Sequence, residues 1–347
     1  MSPDPALAIE AHDLRKVFKR GSIEKVAVDG VDLRVGIGRI FGLIGPNGAG
    51  KSTLVSMLAT LMRPTSGQAW VMGYDVIHQA RQARRSLSFN ASAGERGFYW
   101  RLNAYQNLEF FAALQGLDAA TTRVRVHECL ERIGLQADSR LRFGEFSSGM
   151  KRRLNVGRAL LVDRPIYLFD EPTSGVDPHS AETIRGLLRD IKRAGKTVVL
   201  VTHNMEEATE LCDEVGMLYG GRLIRQDRPE VLRRHVPTTE VEIELAQLGA
   251  EDRVAERLLA LPVVESVERR GDGRLRARTS DPEEDVRGLL LWAASADLPI
   301  TGVTVVRPEL SDAFVRLVQE ATGEHPVEPA DRPVAMARRG PRMRTHL

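Results

Sequence analysis

The sequence predicts an α/β fold built around a phosphate-binding loop, followed by a smaller α+β unit, on three observations. Gly45-Pro46-Asn47-Gly48-Ala49-Gly50-Lys51-Ser52-Thr53 fits the pattern G-x-x-x-x-G-K-[ST]. The short runs 166–169 and 198–201 are apolar throughout, as strands buried on both faces of a parallel sheet are. From residue 7 to residue 235 such runs alternate with segments of helical periodicity. Together these describe a P-loop NTPase core.

Each part of the loop has a chemical reason. Its glycines permit backbone turns that aim successive N–H groups at a chain of phosphates. Lys51 adds a positive charge toward the terminal phosphates, and the Ser52 hydroxyl is a ligand for Mg²⁺. Residues 40–44 (Ile-Phe-Gly-Leu-Ile) read as a buried strand leading into the loop. Leu54, Leu58 and Leu61 recur at helical spacing after it, so the loop opens a helix whose N-terminus favours anions. At background residue frequencies the four fixed positions recur in roughly one in a hundred chains of this length.

The bulk composition excludes some classes. A chain of 347 residues buries a large core and suggests two domains. With 49 basic and 47 acidic residues the formal net charge is +2, so no nucleic-acid partner is expected. No run approaches the roughly 18 apolar residues that cross a bilayer, and residues 1–5 lack the basic and apolar parts of a signal peptide. A cytosolic chain whose membrane role comes through a partner is expected. Cys129 and Cys212 lack metal-type spacing and read as reduced core residues.

Between the phosphate loop and the strand 166–169 lies a mostly helical insert, with helices expected over 104–116, 121–134 and 148–161. A second unit, 237–320, reads as β-α-β-β-α-β. Val241, Ile243 and Leu245 alternate as a strand, and a hairpin turns at Gly271-Asp272-Gly273. A last helix at 310–319 can pack on either unit. The tail 321–347 is rich in Pro and Arg and poor in large apolar residues, the composition of a disordered segment. Its arginines suit either plain solvation or contact with anionic lipid or RNA.

The strand 166–169 ends in Asp170-Glu171. Adjacent acids there are costly to bury without a cation or hydrogen bonds. Asp170 is placed to hold Mg²⁺, directly or through water, and Glu171 to polarise an attacking water. Upstream lies Phe146-Ser147-Ser148-Gly149-Met150. Alone, it reads as an ordinary serine helix cap. Between a phosphate loop and an acidic strand it resembles the signature of ATP-binding cassette (ABC) proteins, in the form seen in ABC-2-type exporter ATPases. Three more segments follow the family's order. Ser174-Gly175-Val176-Asp177 resembles the D-loop, Thr202-His203 the switch histidine, and residues 14–18 the segment carrying the aromatic that stacks on adenine.

The resemblance spans about residues 8–235 and implies a RecA-like core with a helical signature subdomain. It implies a head-to-tail homodimer that binds ATP and Mg²⁺ and drives a separate ABC-2-type permease from the cytoplasmic face of the membrane. Lys51 and the loop from Gly45 to Thr53 would hold phosphates, and Ser52 and Asp170 the metal. Glu171 would orient water, and His203 would fix the terminal phosphate. Phe18 would stack on adenine, unless it is simple core. Ser147, Ser148, Gly149, Met150 and Asp177 would act across the dimer interface. One element departs from the family. After residues 87–91 a Gln is expected, and the chain reads Ser92-Ala93-Gly94-Glu95-Arg96-Gly97 instead. Glu95 is the first substitute as a metal-side ligand, with Ser92 and Asn90 behind it. That departure keeps open a regulatory ABC ATPase with little turnover. The cluster Phe98-Tyr99-Trp100 reads equally as packed core or as a docking surface.

Overall fold

The computed structural model describes residues 3–21, 23–91, 97–137, 139–236, 239–246, 249–271, 273–279, 284–295, 298–306 and 308–323. Its centre is a six-stranded sheet in the order β10-β9-β3-β8-β7-β6. The strands are β3 (Ile40–Ile44), β6 (Leu87–Asn90), β7 (Ile166–Asp170), β8 (Thr197–Thr202), β9 (Glu214–Tyr219) and β10 (Arg222–Asp227). All neighbours in it are parallel except β9 and β10.

Because side chains alternate along a strand, β3, β7 and β8 feed two cores at once. Ile40, Ile44, Tyr167, Phe169, Val198 and Leu200 point into a helical layer. Phe41, Leu43, Ile166, Leu168, Val199 and Val201 point the other way, against α1 (Lys51–Leu58) and a second sheet. That need for apolar side chains on both faces is why these strands read as unbroken apolar runs.

The second sheet is antiparallel, in the order β2-β1-β4-β5. It consists of β1 (Leu7–Arg20), β2 (Ile23–Gly36), β4 (Ser66–Val71) and β5 (Tyr74–Asp75). Helix α1 lies between the two sheets, with Leu54, Val55, Met57 and Leu58 buried. After α2 (Ala80–Arg85), the helical layer comprises α3 (Ala104–Leu114), α4 (Ala119–Arg132), α5 (Ser148–Leu160), α6 (Pro178–Arg193) and α7 (Met205–Leu211). Its helices start on strong caps. Asn103 and Gln106 close a capping box on α3, Ser147 caps α5, and Asp177 caps α6 ahead of Pro178.

The C-terminal unit follows α8 (Pro229–Arg233). It runs β11 (Thr239–Leu245), α9 (Glu251–Leu259), β12 (Val264–Gly271), β13 (Arg274–Thr279), α10 (Glu284–Ser295) and β14 (Ile300–Val306). Its antiparallel sheet has the order β12-β13-β11-β14, the split-βαβ arrangement of ferredoxin-like folds, over its own core of Val241, Ile243, Val254, Leu258, Leu275 and Leu289.

The last helix of the expected unit 237–320, left open to pack on either unit, packs on the first. In α11 (Leu310–Thr322), Leu310, Ala313, Phe314, Leu317 and Val318 join the first core, beside Leu211 and Leu232. The Phe314 ring meets Tyr219 edge-on with centroids 6.4 Å apart. The chain thus leaves the first unit, forms the small sheet and returns. Asp272 of the expected hairpin turn and the tail beyond 323 lie outside the described residues.

The return is testable. Phe314→Ala removes a ring that is 5% exposed and should cost about 3 kcal/mol, lowering the urea midpoint of the first unit. A midpoint equal to the parent's would show that α11 contributes nothing to that core.

Candidate functional site

Strand β3 delivers the chain into the loop 45–50, and α1 starts at Lys51. Gly50 takes φ 105°, and a Cβ there would lie 2.3 Å from the Ala27 carbonyl oxygen, so only glycine seats the loop against β2. Lys51 is 6% exposed, and its Nζ donates to the carbonyls of Gly45 at 2.6 Å and Pro46 at 3.1 Å. Burial pushes its ammonium below the usual lysine range, against the opposing pull of Glu171 and Asp170. The lysine is thus held curled over the loop, with two acidic groups facing it.

A cleft of about 360 Å³ opens over this loop. Its floor is Asn47, Gly48, Gly50, Lys51, Ser52 and Thr53, and Asp170 and Glu171 face them from the end of β7. Phe18 of β1 and Lys25 and Ala27 of β2 form the outer wall. The Phe18 ring is 41% exposed, with Lys16 Nζ 5.4 Å from its centroid, so it is not a core residue. Lys25 pairs with Phe18 across β1 and β2 and escaped the sequence reading. The first four residues of β2 are all exposed, so no alternation marked its cleft side in the sequence.

Asp170 is 5% exposed, whereas Ser52 is exposed to the cleft. A hydroxyl and a carboxylate, both hard oxygen donors, facing one cleft fit Mg²⁺, which takes few protein ligands and completes its shell with phosphate and water. Groups of three or more His, Cys, Asp or Glu side chains suited to a metal are absent among the described residues.

Glu171 sits at φ 52°, in the left-handed region. A non-glycine residue there costs on the order of 1–3 kcal/mol and persists only where its surroundings hold it. Its N–H donates to the Val201 carbonyl at 2.9 Å, and its Oε1 lies 2.7 Å from His203 Nδ1. The histidine that ends β8 and the acid that ends β7 are therefore already in contact.

The signature segment lies elsewhere. Ser147 accepts from the Met150 N–H at 3.2 Å, and Ser147 and Ser148 are exposed at the start of α5. Met150 packs its side chain on the helical core. Gly149 is pressed against the start of α6, where a Cβ would come within 2.3 Å of Ser180 Oγ and 2.5 Å of Asp177 Oδ2. Asp177 accepts from the Ser180 N–H at 2.9 Å, and these hydrogen bonds hold its carboxyl below the usual range. None of Ser147, Ser148, Gly149, Met150, Asp177 and His203 lines the cleft over the phosphate loop.

Asn90 is corrected as a metal-side candidate. It is 1% exposed, and its amide is engaged by Asn155 of α5 through contacts at 2.5 and 3.2 Å. Ser92 and Glu95 lie outside the described residues. Of the aromatic cluster, Phe98 is buried between Phe111 and Phe143, while Tyr99 and Trp100 are exposed. Both cysteines are buried and free, and burial pushes the Cys129 thiol up to about 12. No helix among the described residues is long and apolar enough to cross a membrane.

The chain is similar to known proteins along most of its length. Residues 28–174 match the model of the ABC transporter family. The chain is 34% identical to the daunorubicin/doxorubicin resistance ATP-binding protein DrrA of Streptomyces peucetius, over 95% of this chain and 98% of that protein. It is 36% identical to the Nod factor export ATP-binding protein I of Rhizobium etli, over 89% and 93% of the two chains. Among solved structures it resembles the dimeric ATP-binding cassette MJ0796 in a post-hydrolysis state bound to ADP and Pi. That match has a TM-score of 0.58 and 26% identity, over 63% of this chain and 98% of that one. The chain belongs to the ABC transporter ATP-binding family, in its ABC-2-type exporter branch, and is an ATPase.

Lys51→Ala removes the positive charge on the floor of the cleft. It should weaken ATP binding about a hundredfold, or ~2.7 kcal/mol, measured by titration with a fluorescent ATP analogue. Unchanged affinity would contradict the placement of Lys51.

Proposed function

We propose that this chain is the ATP-driven subunit of an exporter, working as a head-to-tail homodimer on a separate ABC-2-type permease at the cytoplasmic face of the membrane. The observation that carries this reading is the separation of two half-sites. The phosphate-loop cleft is open and lacks the signature residues, while Ser147 and Ser148 present their hydroxyls to solvent at another helix N-terminus. A two-fold operation duplicates any contact it makes, so a second copy completes both clefts at once.

In this arrangement the loop amides from Gly45 to Thr53 and Lys51 hold the phosphates, and Phe18 stacks on adenine. Ser52 and Asp170 would hold Mg²⁺, which would supply neutralisation of the charge on the phosphates. Glu171 draws a proton from the attacking water, and His203, touching Glu171, fixes the terminal phosphate. The partner's Ser148 and Gly149 close the cleft, with Asp177 beside them at the interface. ATP then contacts both copies, whereas cleavage of the terminal phosphate removes the shared contact and lets them separate. That cycle is what a permease can follow. The drug-resistance relatives favour a drug or antibiotic as cargo. Residues 7–235 together with α11 form the ATP-binding domain in this reading, with the β11–β14 sheet as an accessory unit.

Glu171→Gln keeps the shape of the side chain and loses its basicity. With saturating ATP and Mg²⁺ it should hydrolyse at least about a hundredfold more slowly and accumulate as a dimer by light scattering. A variant that turns over at the parental rate, or stays monomeric, would contradict the scheme.

A further inference from the structure

The loop from Glu171 to the cap of α6 at Asp177 is tied from three sides. Glu171 meets His203. Arg152, one turn into the signature helix α5, donates to the Ser174 carbonyl at 3.0 Å. Between these, the Thr173 hydroxyl donates to Glu207 Oε1 at 2.7 Å. Glu207 is on α7, which begins two residues after His203, and is 2% exposed. Its other carboxyl oxygen is buried and meets no donor among the described residues.

A carboxyl group so placed is costly, because one oxygen has given up water without gaining a full set of donors. An apolar side chain of similar volume would fill the same space at lower cost. Helix capping does not account for it, since the side chain of Asn204 already accepts from the Glu207 N–H at 3.0 Å. What Glu207 does supply is an anchor for Thr173, two residues beyond a Glu171 held at φ 52°. A residue in that strained conformation persists only where the surrounding structure holds it there. The Val201 carbonyl fixes it at its own N–H, and the next side-chain tie downstream is Thr173 to Glu207.

We infer that Thr173 and Glu207 are a positioning pair for hydrolysis: their hydrogen bond holds the loop 171–177 against the helix that follows His203, keeping Glu171 and His203 in register. Neither lines the nucleotide cleft, so both act through those two residues. The same loop carries Ser174 to Arg152 and Asp177 to Gly149, so the pair also sets how the hydrolytic side meets the signature helix. This inference rests on the ATPase reading above.

The test is steady-state phosphate release by the full-length chain. Thr173→Val, which keeps shape and loses the hydroxyl, should lower kcat about tenfold or more while the KM for ATP stays within about twofold. Glu207→Leu should do the same, and the double variant should be no slower than the slower single one, because both remove one bond. Thr173→Ser should restore the parental rate. In a His203→Ala background Thr173→Val should have no further effect on kcat, a result that a purely structural role would not produce. Should Glu207→Leu fail to fold, Thr173→Val and Thr173→Ser decide alone. A folded Thr173→Val protein with parental kcat, a loss confined to KM, or losses that multiply in the double variant would each overturn the inference and leave the ATPase reading standing. A parental chain without turnover would overturn both.

Discussion

Everything at the nucleotide site depends on how the loop 45–50 is seated between the two sheets. Its inner side is the end of β3, apolar on both faces, and its outer side is closed by backbone from β2 and the β9–β10 turn. Gly221 donates to the Ala49 carbonyl at 3.0 Å and accepts from Asp29 at 2.8 Å, and the Ala27 carbonyl leaves Gly50 no room for a side chain. Held by those neighbours, Asn47, Gly48, Gly50 and Lys51 all line one cleft. A loop free to swing would have to be ordered by the ligand at an entropic cost, so packing around the glycines amounts to binding affinity held in advance.

The opposing acids depend on a different constraint. Asp170 and Glu171 end a strand whose other residues are fully committed to two cores, so their positions are inherited from the central sheet. Glu171 then departs from strand geometry, and from there to Asp177 the chain is a short loop tied to β8, α7 and α5. That loop joins the acids at the end of β7 to the packing of α5 against α6. A change at the phosphate end can reach the signature helix through a few hydrogen bonds rather than through the bulk of the fold.

Much of this was legible in the residues, for identifiable reasons. The strands β3, β7 and β8 announced themselves because burial on both faces leaves no room for polar interruptions, and α3, α4 and α5 because their apolar spacing is helical. The β-α-β-β-α-β order of the C-terminal unit also followed from alternation and turn residues. The sheet of β1, β2, β4 and β5 did not. The first four residues of β2 are exposed, and Glu10 on β1 is buried with its carboxyl held by the Asp4 N–H, so neither strand shows a clean alternation. The destination of α11 was open because an amphipathic face does not say which core it meets. At the site, residues contiguous in a motif were readable, and Phe18, Lys51, Ser52, Asp170 and Glu171 do share one cleft. Contacts between distant segments were not. Glu207 carried no signal in the sequence, and its burial beside Thr173 shows only in the structure.

The central claim is that a complete site takes its phosphate loop from one copy and its signature from another. Mixing two inactive variants tests it most directly, one carrying Lys51→Ala and the other Ser148→Arg. A mixed dimer has one cleft with both lesions and one with neither, so phosphate release should return to roughly a quarter of the parental rate at equal mixing. Activity no higher than the sum of the two variants measured separately would mean that each chain works with its own signature, and the account would fail.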